Sequence, residues 1–297
     1  MGPGGALIWL APAKLNLSLK VLGARGDGFH ELDSVAAKVT LYDELAFRPR
    51  DDGRIDLACS EFDCGPVEEN LVFRAAEALR ERAGAKAGAD IRLVKRIPPG
   101  SGLGGGSSDA AAALKALTGL WGLSLSPAEL AELAAALGSD VPLFLDGPAV
   151  RMRGRGQHCQ PLRVRPFWAL LVLPDLHCSA GEAYAAYDAL AAEGRPSRAG
   201  GPAVWESLVS AGQIDLPPSK WRDQLVNDLA PAAMRLRPEL AEMRRRLALS
   251  VGEPVHVTGS GSGLFVLLDD EAGAGRALDA VPDGMRGRCR IVTLNSW

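Results

Sequence analysis

Residues 98–118 constrain the chain more than any other stretch. They read Pro-Pro-Gly-Ser-Gly-Leu-Gly-Gly-Gly-Ser-Ser-Asp, then an alanine-rich run. Five glycines, at 100, 102, 104, 105 and 106, fall within seven residues. Glycine lacks a Cβ, so this backbone can take positive φ and bring its N–H groups close to a ligand. A strand over Ile91–Ile97 leads in. A helix over 109–118 follows, with Ser107 or Ser108 as its cap. Its first turn leaves backbone donors free, and its dipole adds roughly half a positive charge. The segment Pro98-Pro99-Gly100-Ser101-Gly102-Leu103-Gly104-Gly105-Gly106-Ser107-Ser108 is therefore a phosphate cradle.

Other glycine loops fit less well. The chain has no G-x-x-x-x-G-K-[ST], so this is not a P-loop. Gly100, Gly102 and Gly105 match G-x-G-x-x-G. A dinucleotide fold then needs an acidic residue about 20 positions on, and Leu120–Pro127 holds no carboxylate. A protein-kinase glycine loop joins two strands, whereas a helix follows here. Glycine at this density costs chain entropy on ordering, so a bare connector is a poor use of it.

Composition narrows the class. A chain of 297 residues, 47% hydrophobic and 23% charged, reads as one large or two ordinary globular, soluble domains. The net charge of −3 points to neither nucleic acid nor an anionic membrane as partner. Five cysteines without a C-x-x-C read as reduced thiols of a cytoplasmic protein, with neither a disulfide frame nor a zinc site. The N-terminus is a poor signal peptide. No apolar run approaches the ~20 residues of a membrane span.

Along the chain, Ile8–Leu22 alternates as a half-buried strand. Leu15, Leu17, Leu19 and Val21 share one face; Lys14, Asn16, Ser18 and Lys20 share the other. By spacing alone Lys14 reads as a solvated lysine. Gly23–Asp33 is a loop that carries Phe29 and His30. They are either a ring and an imidazole for a flat base, or a core phenylalanine beside an exposed histidine. Strands follow over Ser34–Arg48 and Arg54–Cys59, and a helix runs from its cap Asn70 to Ala83. Ser126-Pro127-Ala128-Glu129 is a capping box for a helix that ends at Leu137, with Gly138 as its C′ glycine. Asp140 follows. It either caps the next element or, returned by the helical hairpin, lies near the glycine loop.

The second half opens at Arg151–Gly156, a domain boundary whose arginines either meet phosphate or, more in keeping with such a segment, form a solvated turn. A strand at Phe167–Leu173 and a helix at Ala180–Ala192, with Tyr184 and Tyr187, come next. Glu193–Pro202 reads as a flexible loop. Helices are expected over Val204–Ala211 and Trp221–Leu249. Strands at Pro254–Thr258 and Leu264–Leu268 flank Gly259-Ser260-Gly261-Ser262-Gly263, a second wall for one phosphate site. A helix (Glu271–Ala280) and a strand (Cys289–Leu294) finish the chain.

Four stretches, in order, resemble the GHMP kinase superfamily: Pro12-Ala13-Lys14-Leu15-Asn16, the Pro98–Ser108 loop, Ser139-Asp140-Val141-Pro142 and Thr258–Gly263. Asp27-Gly28-Phe29-His30, with Asn227-Asp228-Leu229, narrows the likeness to a branch acting on a cytidyl diphosphate. The resemblance implies an α+β, two-domain GHMP kinase fold. Residues 1–150 would be a ribosomal-protein-like ATP-binding domain. Residues 151–297 would be a ferredoxin-like substrate domain. It implies an ATP- and Mg²⁺-dependent small-molecule kinase of isoprenoid precursor synthesis, a monomer or homodimer in the cytoplasm. Lys14 and Asp140 would be the catalytic pair. ATP would lie on Pro98–Ser108 with its adenine toward Asn70. Asn16, Phe29, His30 and Tyr184 would hold the substrate, and Mg²⁺ would sit on the phosphates through Ser107 or Ser108 and water. Two positions depart from the pattern: Phe29 stands where many members carry tyrosine, and Asp109 where others carry asparagine or another residue.

Overall fold

The computed structural model describes residues 5–84, 86–194 and 203–295. Its first sheet is built on two long antiparallel strands, β1 (Leu7–Ala24) and β2 (His30–Arg50). β2 is the hub. Its first half pairs with β5 (Ala149–Gly154), and its second half with β4 (Gly88–Val94). β3 (Ile55–Ser60) and β6 (His158–Pro161) are the outer strands of the order β3-β4-β2-β5-β6. This sheet therefore reaches Pro161. Helices α1 (Leu71–Ala83), α2 (Gly105–Leu120) and α3 (Pro127–Leu137) cover it. Ala110–Ala113 are all buried, and their small side chains let α2 pack closely on its neighbours.

A two-stranded pair follows, β7 (Arg163–Val164) with β9 (Gln213–Ile214). The second sheet has the order β10-β11-β8-β12, from His256–Val257, Leu264–Leu268, Trp168–Val172 and Cys289–Thr293. Its helices are α4 (Ala180–Ala192), α5 (Ala203–Ser210), α6 (Ala230–Leu236), α7 (Pro238–Val251), α8 (Glu271–Asp279) and α9 (Asp283–Arg286). One apolar cluster joins the two sheets: Leu15 and Leu17 of β1 share it with Phe167, Phe265, Trp205 and Trp221. The α+β architecture expected from the motifs is present. Among the described residues no helix is long and apolar enough to cross a membrane.

Five local expectations change. The strand into the glycine loop stops at Val94, because Asp43 Oδ1 takes the N–H groups of Arg96 (2.5 Å) and Ile97 (2.8 Å) out of the ladder. α2 begins at Gly105 after Gly104 in the left-handed region, so neither Ser107 nor Ser108 is its cap. Pro231 and Pro238 each start a helix, and Trp221–Leu249 is accordingly a short 3-10 turn followed by α6 and α7. β1 is buried on both faces, with Lys14, Asn16 and Ser18 all under 7% exposed. Its polar face lies under the two glycine loops rather than in water. Finally, Cys59 and Cys64 are joined in a disulfide across the turn that follows β3, against the expectation of reduced thiols; Cys159, Cys178 and Cys289 are free. Most of the loop expected at Glu193–Pro202 lies outside the described residues.

Candidate active site

The glycine loop is shaped by protein contacts as well as by any ligand. Gly100, Gly102 and Gly104 all have positive φ, between 67° and 73°. A Cβ on Gly102 would lie 2.1 Å from the carbonyl oxygen of Thr258, and one on Gly100 2.3 Å from the His177 ring. The second glycine run closes on the first. Gly263 N donates to Ser101 O (2.9 Å), and Ser262 N to Gly100 O (3.3 Å). Thr258 ties both to β1, because its Oγ1 accepts from Asn16 N at 3.1 Å. Lys14 N donates to Leu103 O at 2.9 Å. Backbone bonds thus hold β1 and the two loops as one unit.

Two cavities meet at this unit. The first, about 380 Å³, is lined by Pro98–Ser107, Asn70, Lys95 and Asp109. Asn70 caps α1, its Oδ1 accepting from Val72 N at 2.9 Å. Beneath lies a buried ionic triad. Lys95 Nζ donates to Asp109 Oδ2 (2.8 Å) and to Asp43 Oδ2. Burial pushes the Asp109 carboxyl up to about 7, with Lys95 opposing and Asp43 adding. Asp109 Oδ1 and Ser108 Oγ are buried without a partner among the described residues. Ser107 lines both cavities, whereas Ser108 is 1% exposed.

The second cavity, about 830 Å³, lies between the loop and α4. Lys14 and Asp140 face each other on the wall of this second cavity, with Nζ 3.6 Å from Oδ2. Burial lowers the Lys14 pKa, and Asp140 opposes the shift. Lys14 Nζ also donates to Asn16 Oδ1, and Asn16 Nδ2 donates to Ser34 Oγ at 2.9 Å. A buried ammonium aimed by Asn16 thus meets a carboxylate that is 38% exposed. Spacing alone predicts a solvated Lys14; instead it is 3% exposed.

The far end of this cavity is aromatic. His30 stacks on Tyr184 at 4.8 Å and 18°, and its Nε2 lies 2.8 Å from Asp188 Oδ1. Phe29 is 45% exposed, with the Arg155 guanidinium over its ring at 5.0 Å. Burial, then Asp140, raises the Tyr184 phenol above its ordinary pKa. Exposed at the cavity wall, Phe29 is not a core residue. Tyr184 meets His30 rather than Phe29. Lys95, Asp43 and Asp188 are site residues that the sequence alone does not single out, and Arg155 meets the Phe29 ring. A lysine at a strand end and an acid on a helix carry no local signal, and Asp188 is 158 positions from His30.

Known proteins resemble this chain in sequence and fold. Residues 70–148 match the GHMP kinases N terminal domain, and residues 219–287 the GHMP kinases C terminal family. A Pelotomaculum thermopropionicum protein named 4-diphosphocytidyl-2-C-methyl-D-erythritol kinase is 42% identical over 262 residues, 88% of each chain. One of that name from Nitrosococcus oceani is 38% identical over 95% of this chain and 92% of its own. A crystal structure of 4-(cytidine 5'-diphospho)-2C-methyl-D-erythritol kinase superimposes with a TM-score of 0.77 at 36% identity, covering 98% of this chain and all of that one. Homoserine kinase from Cytophaga hutchinsonii shares the fold, with a TM-score of 0.73 at 20% identity.

Proposed function

The chain belongs to the GHMP kinase family, and on that premise we propose that it transfers the γ-phosphoryl group of ATP to the 2-hydroxyl of 4-diphosphocytidyl-2-C-methyl-D-erythritol. That is a step of non-mevalonate isoprenoid precursor synthesis. The reaction rests on one observation above the rest: Lys14 and Asp140 sit together in the second cavity, beside a glycine loop that lines both cavities.

ATP phosphates lie along Pro98–Ser108 with the adenine toward Asn70. The cytosine stacks against Phe29 and Tyr184 and is read at its edge by His30, while Asn16 orients Lys14. Phosphoryl transfer needs positioning and charge neutralisation more than covalent catalysis. Asp140 accepts the proton of the attacking hydroxyl, and the Lys14 ammonium stabilises the charge that develops on the transferred group. Mg²⁺ carried on the phosphates supplies further neutralisation. The Ser107 hydroxyl, open to both cavities, would hold the ion together with water, and no cluster of three or more acidic, His or Cys side chains among the described residues forms a protein cage for it. We assign ATP to the half at 1–150 and the acceptor to the half at 151–297 together with β1 and the Phe29–His30 loop. The enzyme is taken to act in the cytoplasm as a monomer or homodimer on a small molecule, without nucleic acid or membrane.

A coupled ADP-release assay tests this. The cytidyl substrate should give turnover, and homoserine and mevalonate should give none above background. Faster turnover on either of those two would contradict the assignment.

A further inference from the structure

Behind the site, one carbonyl oxygen collects two lysines. Lys38 of β2, 4% exposed, donates from Nζ to Phe144 O (3.3 Å) and to Asp146 O. Lys115 of α2 donates to the same Phe144 oxygen at 3.1 Å. Neither lysine has a carboxylate within ion-pair distance among the described residues. Burial lowers the pKa of both. Lys38 falls to about 8, with Lys115 adding to the shift and Asp146 and Cys159 opposing it. One donor satisfies a carbonyl, and a second cation beside it adds repulsion in a low-dielectric setting. The doubled contact therefore holds more than a loose turn end.

Phe144 connects these lysines to the chemistry. Asp140 lies in the turn that leads to it, closed by Val141 N to Gly138 O (3.2 Å), Phe144 N to Val141 O (3.1 Å) and Leu145 N to Pro142 O (3.0 Å). On its other side the Phe144 ring backs the glycine loop. A Cβ on Gly104 would meet Phe144 Cζ and Lys14 Cε, each at 3.1 Å. One buried phenylalanine thus ends the Asp140 turn and backs Gly104 of the phosphate loop, against which the Lys14 stem also lies. Its carbonyl is gripped from the sheet by Lys38 and from the phosphate-bearing helix by Lys115.

We propose that Lys38 and Lys115 are positioning residues for phosphoryl transfer: by holding the Phe144 carbonyl they fix the Asp140 turn against α2. The inference rests on the reading of Asp140 as the base. It predicts a loss in kcat carried through Asp140, since small displacements of a reacting group cost rate steeply.

The test is a double-mutant cycle on the whole chain, with Lys115→Met, Asp140→Asn and the pair. Lys115→Met should lower kcat about tenfold, with KM for ATP and for the cytidyl substrate within about twofold. Lys115→Arg, which keeps a donor, should restore kcat. In the Asp140→Asn background Lys115→Met should lower kcat no further, because both act through one group. The same fold-loss in both backgrounds, or normal kcat in Lys115→Met, overturns the proposal while Asp140→Asn still reports on the base. Near-normal kcat in Asp140→Asn alone would remove the base assignment and this inference with it. Lys38→Met run through the same cycle decides the matter if Lys115→Met does not fold.

Discussion

The cavity on the α1 side and the cavity on the α4 side share a wall but are made of different material. The first is walled by backbone: Pro98–Gly106 line it, pinned by hydrogen bonds to Gly263, Ser262 and Lys14 and underlain by the Asp43–Lys95–Asp109 triad. At its far end the second is walled by side chains from β1, the loop before β2, the turn after β5 and α4, with Phe29 and Asp188 partly exposed. Backbone donors suit a phosphate chain, whose negative charge is the same in every nucleotide. Discrimination of one acceptor needs specific side-chain edges, because a missing hydrogen bond to a buried polar group is what rejects the wrong ligand. The proposed function accordingly puts the common cosubstrate on the backbone-walled side, and selectivity on the side that can be re-lined without disturbing the fold.

The largest expected effect breaks the backbone side alone. Gly106→Val should lower ATP affinity at least about a hundredfold by filling phosphate space at the helix start. The protein should stay folded, because a Cβ there meets only Leu71 Cδ1, at 3.8 Å. Gly104→Val is the poorer probe, since φ is +72° and its Cβ would press on Lys14 and Phe144. Calorimetric ATP titration with a melting curve measures both properties; unchanged affinity in the folded variant would remove the cradle assignment.

Lys95→Met attacks the same side from below. It leaves two carboxylates buried without their cation, which typically costs about 3–5 kcal/mol. Chemical denaturation should show that loss, and an unchanged midpoint would mean the triad is not held as described. His30→Ala sharpens the contrast on the other side. It should raise KM for the cytidyl substrate by about 1–3 kcal/mol worth of binding, or roughly 5- to 150-fold at 1.36 kcal/mol per decade. ATP affinity should not move. Equal damage to both substrates would make His30 a scaffold residue.

A pH dependence is confined to the side of the buried triad. The Asp109 carboxyl sits at about 7, above its ordinary value, chiefly through burial. The folded state then binds its proton more tightly than the unfolded state. Asp109 favours the fold below pH about 4, and that contribution is lost as pH rises through about 7. Asp109→Asn should therefore lose less stability than the parent between those limits. Parallel melting temperatures for the two proteins across the window would contradict it.

Legibility in the sequence follows the same division. Glycine density is a property of one short segment, so the cradle could be read directly, and its resemblance to one superfamily followed. The α3 capping box and Gly138 fixed a hairpin length that put Asp140 within 3.6 Å of Lys14. Lys14 itself was not legible by alternation, because β1 is covered on both faces and a buried polar face looks like a solvated one. The His30–Asp188 contact and the Arg155–Phe29 contact arise from tertiary packing and leave no periodic trace. Pro231 and Pro238 did carry a local signal, each at the first turn of a new helix. An apolar periodicity running across them concealed the breaks.

In the proposed reaction Asp140 is the group that takes the proton from the attacking hydroxyl. Asp140→Asn keeps the side chain's size and its capping capacity while removing charge and basicity. A general base contributes typically ~10²–10⁴-fold. Steady-state kinetics on the cytidyl substrate should show kcat lower by about two decades or more, with melting temperature and ATP affinity nearly unchanged. A folded Asp140→Asn protein with near-normal kcat would contradict the claim.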